Sequence, residues 1–447
     1  MNTFNDIPLS RYGALSSTPS PVNRMMTAFA GNFRQGVDVN LGVGYVNERT
    51  IPGELIIEAT REVLAHPEKY PTPCNYGGSK GSENLINAIR RFHVDHGIGG
   101  LTDESLRDRD IIIGPNGATS LLEGIANVVE PGIVVTTDPM YYIYCNFLER
   151  RGFEVIAIPE DDRGIRIERL SEKLRSGVFD ARSVRFFYIV TVNNPSGTIL
   201  SNERRRALVD IAGWLSEETG RTVPVFFDRA YEDRIHDPAV PRPSSAFPYD
   251  DRGLAYEIGT LSKILAPALR IGYMIGRDGP FLRALVQKTS DAGFSAPLIT
   301  QEIAGYLLER HVTTQIGRVN AGYREKARIV GDCIREELGG RIEAVSGGRG
   351  GFYYYLTFRD IITTEASPFF RFLARTTGDR AVDGPVRDPN PRVIYVPGEF
   401  CVHPRGDMVE KGSRQLRLSY GFEETRRISI AVGLMKEAAE YARSETS

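Results

Sequence analysis

Short apolar runs closed by turn residues alternate along this chain with stretches whose apolar residues recur at helical spacing, and few architectures satisfy that alternation. The runs IIIG (111–114), GIVVTT (132–137), VRFFYIV (184–190) and VPVFFD (223–228) have strand length, whereas 54–66 and 82–96 carry the helical period. Strands separated by helices predict an α/β fold, a mostly parallel sheet sandwiched by helices. Ligands of such sheets bind at the carboxyl ends of the strands, where the polar motifs of this chain fall. A charged helical stretch over 312–338 then leads to FYYYLTF (352–358), VIYVP (393–397), QLRLSY (415–420) and a last helix, which read as a second, α+β unit. At 447 residues the chain exceeds one compact core. The expected division is an arm with part of the smaller unit (1–52), a large unit (53–325) and a small unit (326–447).

Composition narrows the function. Apolar residues make up 41% and charged residues 25%, as in ordinary globular proteins, and 55 Lys plus Arg nearly cancel 57 Asp plus Glu. That balance removes the basic footprint of a nucleic-acid binder, and no stretch is apolar enough to span a membrane, so small-molecule partners are expected. The first twenty residues carry no signal-peptide core, which predicts a cytoplasmic location. Residues 1–35 read as a polar, irregular arm with one amphipathic stretch (22–29), too short and too weakly basic for a DNA-binding module. Cys74, Cys145, Cys333 and Cys401 lack paired spacing, so they read as incidental thiols. His93 and His96 form an HxxH without a third ligand nearby and read as a solvated helix face. GGRGG (347–351) lacks the Lys-Ser/Thr of a phosphate loop and reads as a turn.

Other segments carry chemistry. GTLSKILAPALRIGY (259–273) sets Lys263 between a hydroxyl, Thr260, and a guanidinium, Arg270, groups that suit a phosphate dianion. VFFDRAY (225–231) is a buried run ending in Asp228, with Tyr231 three residues on. TVNNPSGT (191–198) is a turn after a strand, holding Asn194. GPNGATSLLEGI (114–125) is a strand-to-helix junction whose first amides form a natural anion site. DPMYY (138–142), NLGVGYVNE (40–48), NYGGSKG (75–81) and QLRLSYGF (415–422) complete the set. Taken singly, each has an ordinary reading as a cap, a turn, core packing or a solvated loop.

Together and in this order, the segments resemble the class I/II aminotransferases of fold type I, which depend on pyridoxal 5′-phosphate; the resemblance covers roughly residues 40–440. It implies that Lys263 holds the cofactor as a Schiff base and that Asp228 meets its pyridine nitrogen. Tyr231 and Asn194 then bond its ring oxygen, and Tyr141 stacks on the ring. Asn116, Gly117, Ala118, Thr260 and Arg270 surround the phosphate, with Tyr76 reaching it from a neighbouring subunit of a homodimer. Gly44, Asn194 and Arg417 meet the substrate, Arg417 by a bidentate grip on its carboxylate. The catalytic set is Lys263, Asp228 and Tyr231.

The activity so implied is a two-step transfer of an α-amino group from an amino acid to a 2-oxo acid, within amino-acid metabolism or biosynthesis. A β/γ-lyase is the alternative, since the same lysine and acid serve elimination; a non-enzymatic regulator is a third reading. Ala268 stands where glycine is usual, Thr260 where serine is usual, and Tyr45-Val46-Asn47 where many members have an acid and a proline. The last departure bears on substrate class, for which Tyr45 and Arg49 are pocket candidates. The arm segment SPVNRMMTAF (20–29) faintly resembles that of aminotransferases acting on aminoadipate, kynurenine and other bulky substrates.

Overall fold

The computed structural model describes residues 7–445. Its main sheet contains β1 (Arg109–Gly114), β2 (Ile133–Asp138), β3 (Glu154–Asp161), β4 (Gly164–Ile165), β5 (Val184–Val190), β6 (Val225–Asp228), β7 (Ala255–Thr260) and β8 (Gly272–Arg277). Their spatial order is β1-β8-β7-β6-β5-β2-β3-β4. Neighbours from β7 to β3 are parallel, and β8 runs antiparallel to both β7 and β1. The expected mostly parallel sheet is therefore present. Strands β2, β5 and β6 are buried along nearly their whole length, which explains why they appear in sequence as continuous apolar runs without alternation. Helices cover both faces, and the core divides accordingly into one cluster on each side of the sheet.

A second sheet is built from β9 (Ile342–Gly347), β10 (Tyr353–Phe358), β11 (Val396–Pro397) and β12 (Gln415–Ser419), ordered β9-β10-β12-β11 and antiparallel throughout. The helix expected over 312–338 spans Val312–Leu338, and the last helix, Thr425–Ser444, packs against it. The GGRGG segment is the β9–β10 turn, with Gly347, Gly348 and Gly351 at positive φ. There the two sheets' loops meet backbone to backbone: a Cβ on Gly197 would lie 2.6 Å from Gly347 Cα, and one on Gly347 would lie 3.0 Å from the Ser196 carbonyl. Ile235 bridges Gly350 across the same seam, and Arg349 pairs with Asp237 at 2.7 Å.

Two expectations need correction. The N-terminal arm is not irregular: helices span Arg11–Ser16 and Pro21–Gly31, each opened by a serine whose hydroxyl accepts an amide of the first turn. The second buries Val22, Met25 and Phe29 against the chain's own core, with Arg392 stacked on Phe29 at 4.9 Å. Residues 1–6 of that arm lie outside the described residues. His93 is not on a solvated face. It lies four residues after Ile89 on the buried side of its helix, and its Nε2 meets the Tyr273 hydroxyl at 2.9 Å. Burial pushes its imidazole down to about 3, so it is a neutral core residue.

Candidate active site

The parallel strands deliver their chemistry to one edge. Asp228 ends β6, Asn194 follows β5, Tyr141 follows β2, and Lys263 stands in the β7–β8 connection, three residues after Thr260. Asn116, Gly117 and Ala118 join β1 to the helix Gly117–Val128, and β12 of the second sheet brings in Arg417.

Lys263 Nζ donates to the Gly44 carbonyl at 3.0 Å and lies 5.6 Å from the ring centres of both Tyr231 and Phe352. Burial, then the cations Arg270 and Arg417, push its ammonium down to about 8. An amine so placed has a sizeable neutral fraction near physiological pH, and the neutral form is the one that attacks an aldehyde. Asp228 is buried. Its Oδ2 accepts from the Tyr188 hydroxyl at 2.8 Å and its Oδ1 from the Ala230 amide at 3.0 Å. Burial outweighs these two bonds and the nearby Lys263 cation and pushes this carboxyl up, so a cation against it would be favoured. Tyr141 has its phenol pushed up by burial and next by the Asp228 carboxylate.

The phosphate-type donors also converge. Arg270, itself at φ +54°, donates through Nε to Asn116 Oδ1 at 2.7 Å and through Nη2 to the Asn116 carbonyl at 2.9 Å. Gly117 is required here: φ is +70°, and a Cβ would lie 3.0 Å from Arg270 Nη2. A Cβ on Gly272 would fall 2.1 Å from the Ala118 nitrogen, so β8 reaches the helix start only because residue 272 is glycine. The Thr260 hydroxyl donates to the Ile271 carbonyl at 2.8 Å. It also lies 3.0 Å from Ser262 Oγ, which makes Ser262 a second hydroxyl of the cradle. Sequence reasoning passed over Ser262 although it immediately precedes Lys263.

Arg417 is buried. Its Nη1 donates to Asn194 Oδ1 at 2.7 Å, its Nη2 donates to the Gly42 carbonyl, and its Nε has no partner among the described residues. Its guanidinium lies 4.6 Å from the ring centre of Tyr353, whose hydroxyl is 2.9 Å from that of Tyr231. Tyr353 is a second group that sequence reasoning missed, because FYYYLTF reads only as a strand. Tyr76 is not drawn into this cluster. It is 77% exposed and its ring meets Phe294, also exposed, at 5.4 Å. Tyr45 is exposed beside Phe422, and Arg49 lies 3.6 Å from Glu424.

These residues fit pyridoxal phosphate. Helix-start amides, two hydroxyls and a guanidinium match a phosphate, a buried uncompensated carboxyl matches a protonated ring nitrogen, and a neutral amine matches an aldehyde. Tyr231, Asn194, Asp228, Thr260, Ser262, Arg270 and the 116–118 loop would hold the group, and Lys263 would bond it.

The segment joining β6 to β7 is braced by a ring of buried charges. Glu232 accepts from Arg205 and Arg229, Arg229 also donates to Glu257, and Glu257 Oε1 accepts the Ser245 hydroxyl at 2.8 Å and the Ala246 amide at 2.9 Å. Asp228 and Tyr231 therefore alternate with two residues locked to the helix Asn202–Thr219 and to β7.

Comparison with known proteins agrees with this geometry. Residues 38–370 match the family model described as aminotransferase class I and II. An aromatic-amino-acid aminotransferase of Thermococcus litoralis is 28% identical over 61% of this chain and 64% of its own length. An uncharacterized HTH-type transcriptional regulator of Escherichia coli is 27% identical over 64% of this chain and 57% of its own. The matches thus span less than two thirds of either relative. The crystal structure of a multiple substrate aminotransferase from Thermococcus profundus superposes with a TM-score of 0.81 at 22% identity, covering 98% of both chains. With its family match running from before Gly44 to past the second sheet's Tyr353, this chain belongs to the class I and II aminotransferases.

Proposed function

We propose that this protein is a pyridoxal-phosphate-dependent transaminase that moves the α-amino group of an amino acid to a 2-oxo acid. The observation that carries the reading is the placement of Arg417, buried with no partner for its Nε among the described residues, at the same site as the depressed amine of Lys263. One group grips a carboxylate and the other handles the proton on the carbon beside it. When bound, the cofactor supplies an aldehyde for condensation with amines and a pyridinium that draws electrons from the substrate's Cα. Asp228 keeps that nitrogen protonated. Arg417 and Asn194 orient the α-carboxylate so that the Cα proton faces Lys263 Nζ. Once freed by the incoming substrate amine, Lys263 would remove that proton and return it two bonds away, to the carbon it had itself been bonded to. Arg270, Ser262 and the 116–118 amides hold the phosphate end still meanwhile.

The same reading takes Tyr76 and Phe294 as the surface that meets a second copy, giving a homodimer with shared sites, and keeps the division at 52/53 and 325/326. Among the described residues no helix is long and apolar enough to cross a membrane; a cytoplasmic enzyme of amino-acid biosynthesis is in keeping with the reading. Elimination is not favoured, since the family and the Thermococcus litoralis relative are named for amino transfer. A ligand-sensing role has one observation behind it, the match to a transcriptional regulator, and it expects cofactor capture without turnover. The test is a panel of amino donors with 2-oxoglutarate or pyruvate, with Lys263→Ala as the control. Turnover by the parent, with loss of both turnover and the visible absorption band in the variant, is the expected result. A normal band and normal turnover in Lys263→Ala would overturn the assignment.

A further inference from the structure

Tyr353 occupies a position that no motif marks. On the second sheet it pairs with Ser419, while Arg417 pairs with Tyr355, so Tyr353 and Arg417 are diagonal neighbours on one face of β10 and β12. Its ring lies under the Arg417 guanidinium at 4.6 Å, and its hydroxyl reaches across to that of Tyr231, in the connection after β6, at 2.9 Å. The same hydroxyl would lie 2.8 Å from a Cβ on residue 44, a clash that only glycine avoids, and Gly44 is also the acceptor for Lys263 Nζ. Tyr353 is 1% exposed. One side chain therefore touches the candidate carboxylate grip, the candidate ring-oxygen ligand and the glycine beside the lysine.

We propose that Tyr353 is a positioning residue that couples the carboxylate site at Arg417 to the cofactor's ring oxygen through Tyr231. The inference rests on the transaminase reading. Each phenol has one proton to donate. With the ring oxygen ionised and acting only as an acceptor, the Tyr231 proton goes to that oxygen and the Tyr353 proton goes to Tyr231, a directed chain of two bonds. A donor that is itself hydrogen-bonded at its oxygen donates more strongly. The Tyr353 ring has a separate task, holding the guanidinium plane of Arg417 by a desolvated cation–π contact. Hydroxyl and ring are thus separable by substitution.

The test compares Tyr353→Phe with Tyr353→Leu in the holoenzyme, and reads out binding and spectroscopy as well as rate. Tyr353→Phe keeps the ring. It is expected to bind the unreactive carboxylate 3-phenylpropionate within about twofold of the parent in calorimetry, since the cation–π contact survives. It is also expected to raise the pH midpoint of the lysine-linked cofactor's absorption band by about half a unit, a roughly threefold change in proton affinity. Tyr353→Leu is expected to show the same spectral shift and, in addition, about tenfold weaker binding of 3-phenylpropionate. An unmoved spectral midpoint in Tyr353→Phe, or unweakened carboxylate binding in Tyr353→Leu, overturns the inference. A parent that captures no pyridoxal phosphate would instead refute the functional reading on which it rests.

Discussion

Replacing Glu232 by leucine would break the buried ring of charges at one corner. In the parent, Arg205 and Arg229 face Glu232 and Glu257, two charges of each sign, and all four residues are buried. Without Glu232, Arg229 keeps Glu257, but the nearest carboxylate to Arg205 is Glu257 at 3.9 Å, and one positive charge is left uncompensated. Breaking one side of such a buried set costs about 3–5 kcal/mol. Adding Arg205→Met restores neutrality and leaves the Arg229–Glu257 pair, with Ser245 and Ala246 still on Glu257. The double variant should therefore recover about 2 kcal/mol or more of the single variant's loss. Urea unfolding of parent, single and double variants measures this directly.

The pH dependence gives an independent arm. Burial alone would raise the Glu232 carboxyl, but Arg205 and Arg229 outweigh it and hold it at about 2, below its ordinary 4.5. A carboxyl lowered on folding contributes stability that is complete above about pH 4.5 and lost as pH falls through about 2, so the gap between parent and Glu232→Leu should narrow across that window. A single-variant cost under about 1 kcal/mol, or a second substitution that simply adds to the first, would refute the reasoning.

Three further outcomes are expected. Capture of pyridoxal phosphate by apoprotein should accelerate with a midpoint near pH 8, and Arg270→Gln should move that midpoint upward; a flat profile from pH 6 to 9 would count against the neutral amine. Because the Lys263 amine is lowered from 10.5, burying its positive charge costs the fold most below about pH 8, and that cost fades as pH rises toward 10.5. Arg417→Ala should lower kcat/KM by about 10²–10⁴-fold through loss of two charge-assisted bonds to the carboxylate, measured by steady-state kinetics. Asp228→Asn should retain the cofactor but slow exchange of the substrate Cα proton by at least about 10²-fold, read by deuterium incorporation.

Much of this site was legible in the chain because its parts sit at strand ends. A buried strand prints a continuous apolar run, and the polar residue that closes it lands at the ligand edge, as with VFFD ending on Asp228. The long helix was equally plain from its period. What stayed hidden depends on pairing between distant segments. Tyr353 lies inside a strand, where aromatic residues are expected for packing alone, and its partners Tyr231 and Arg417 are far away in sequence. The ring partners Arg205 and Glu257 likewise look like surface charges until the helix and β7 are packed together. His93 shows the opposite failure: its spacing from Leu85 and Ile89 already put it on the apolar side, but its polarity suggested solvent. Strands β3, β7 and β8 mix charged residues and glycine into their runs, so they stand out less than their neighbours.

The meeting of Gly197 with Gly347 bears on mutational tolerance. Neither position supplies a side chain, yet both have positive φ; a Cβ on Gly197 would run into Gly347 of the opposite loop, and one on Gly347 into the Tyr353 carbonyl of its own hairpin. A saturation library scored for activity should show both sites depleted of every other residue, even alanine. The same seam also fixes where β10 begins, since the Gly348 amide donates to the Tyr353 carbonyl at 3.1 Å. A substitution at this crossing would therefore act at a distance, shifting the tyrosine that meets Arg417 without altering any group at the candidate site.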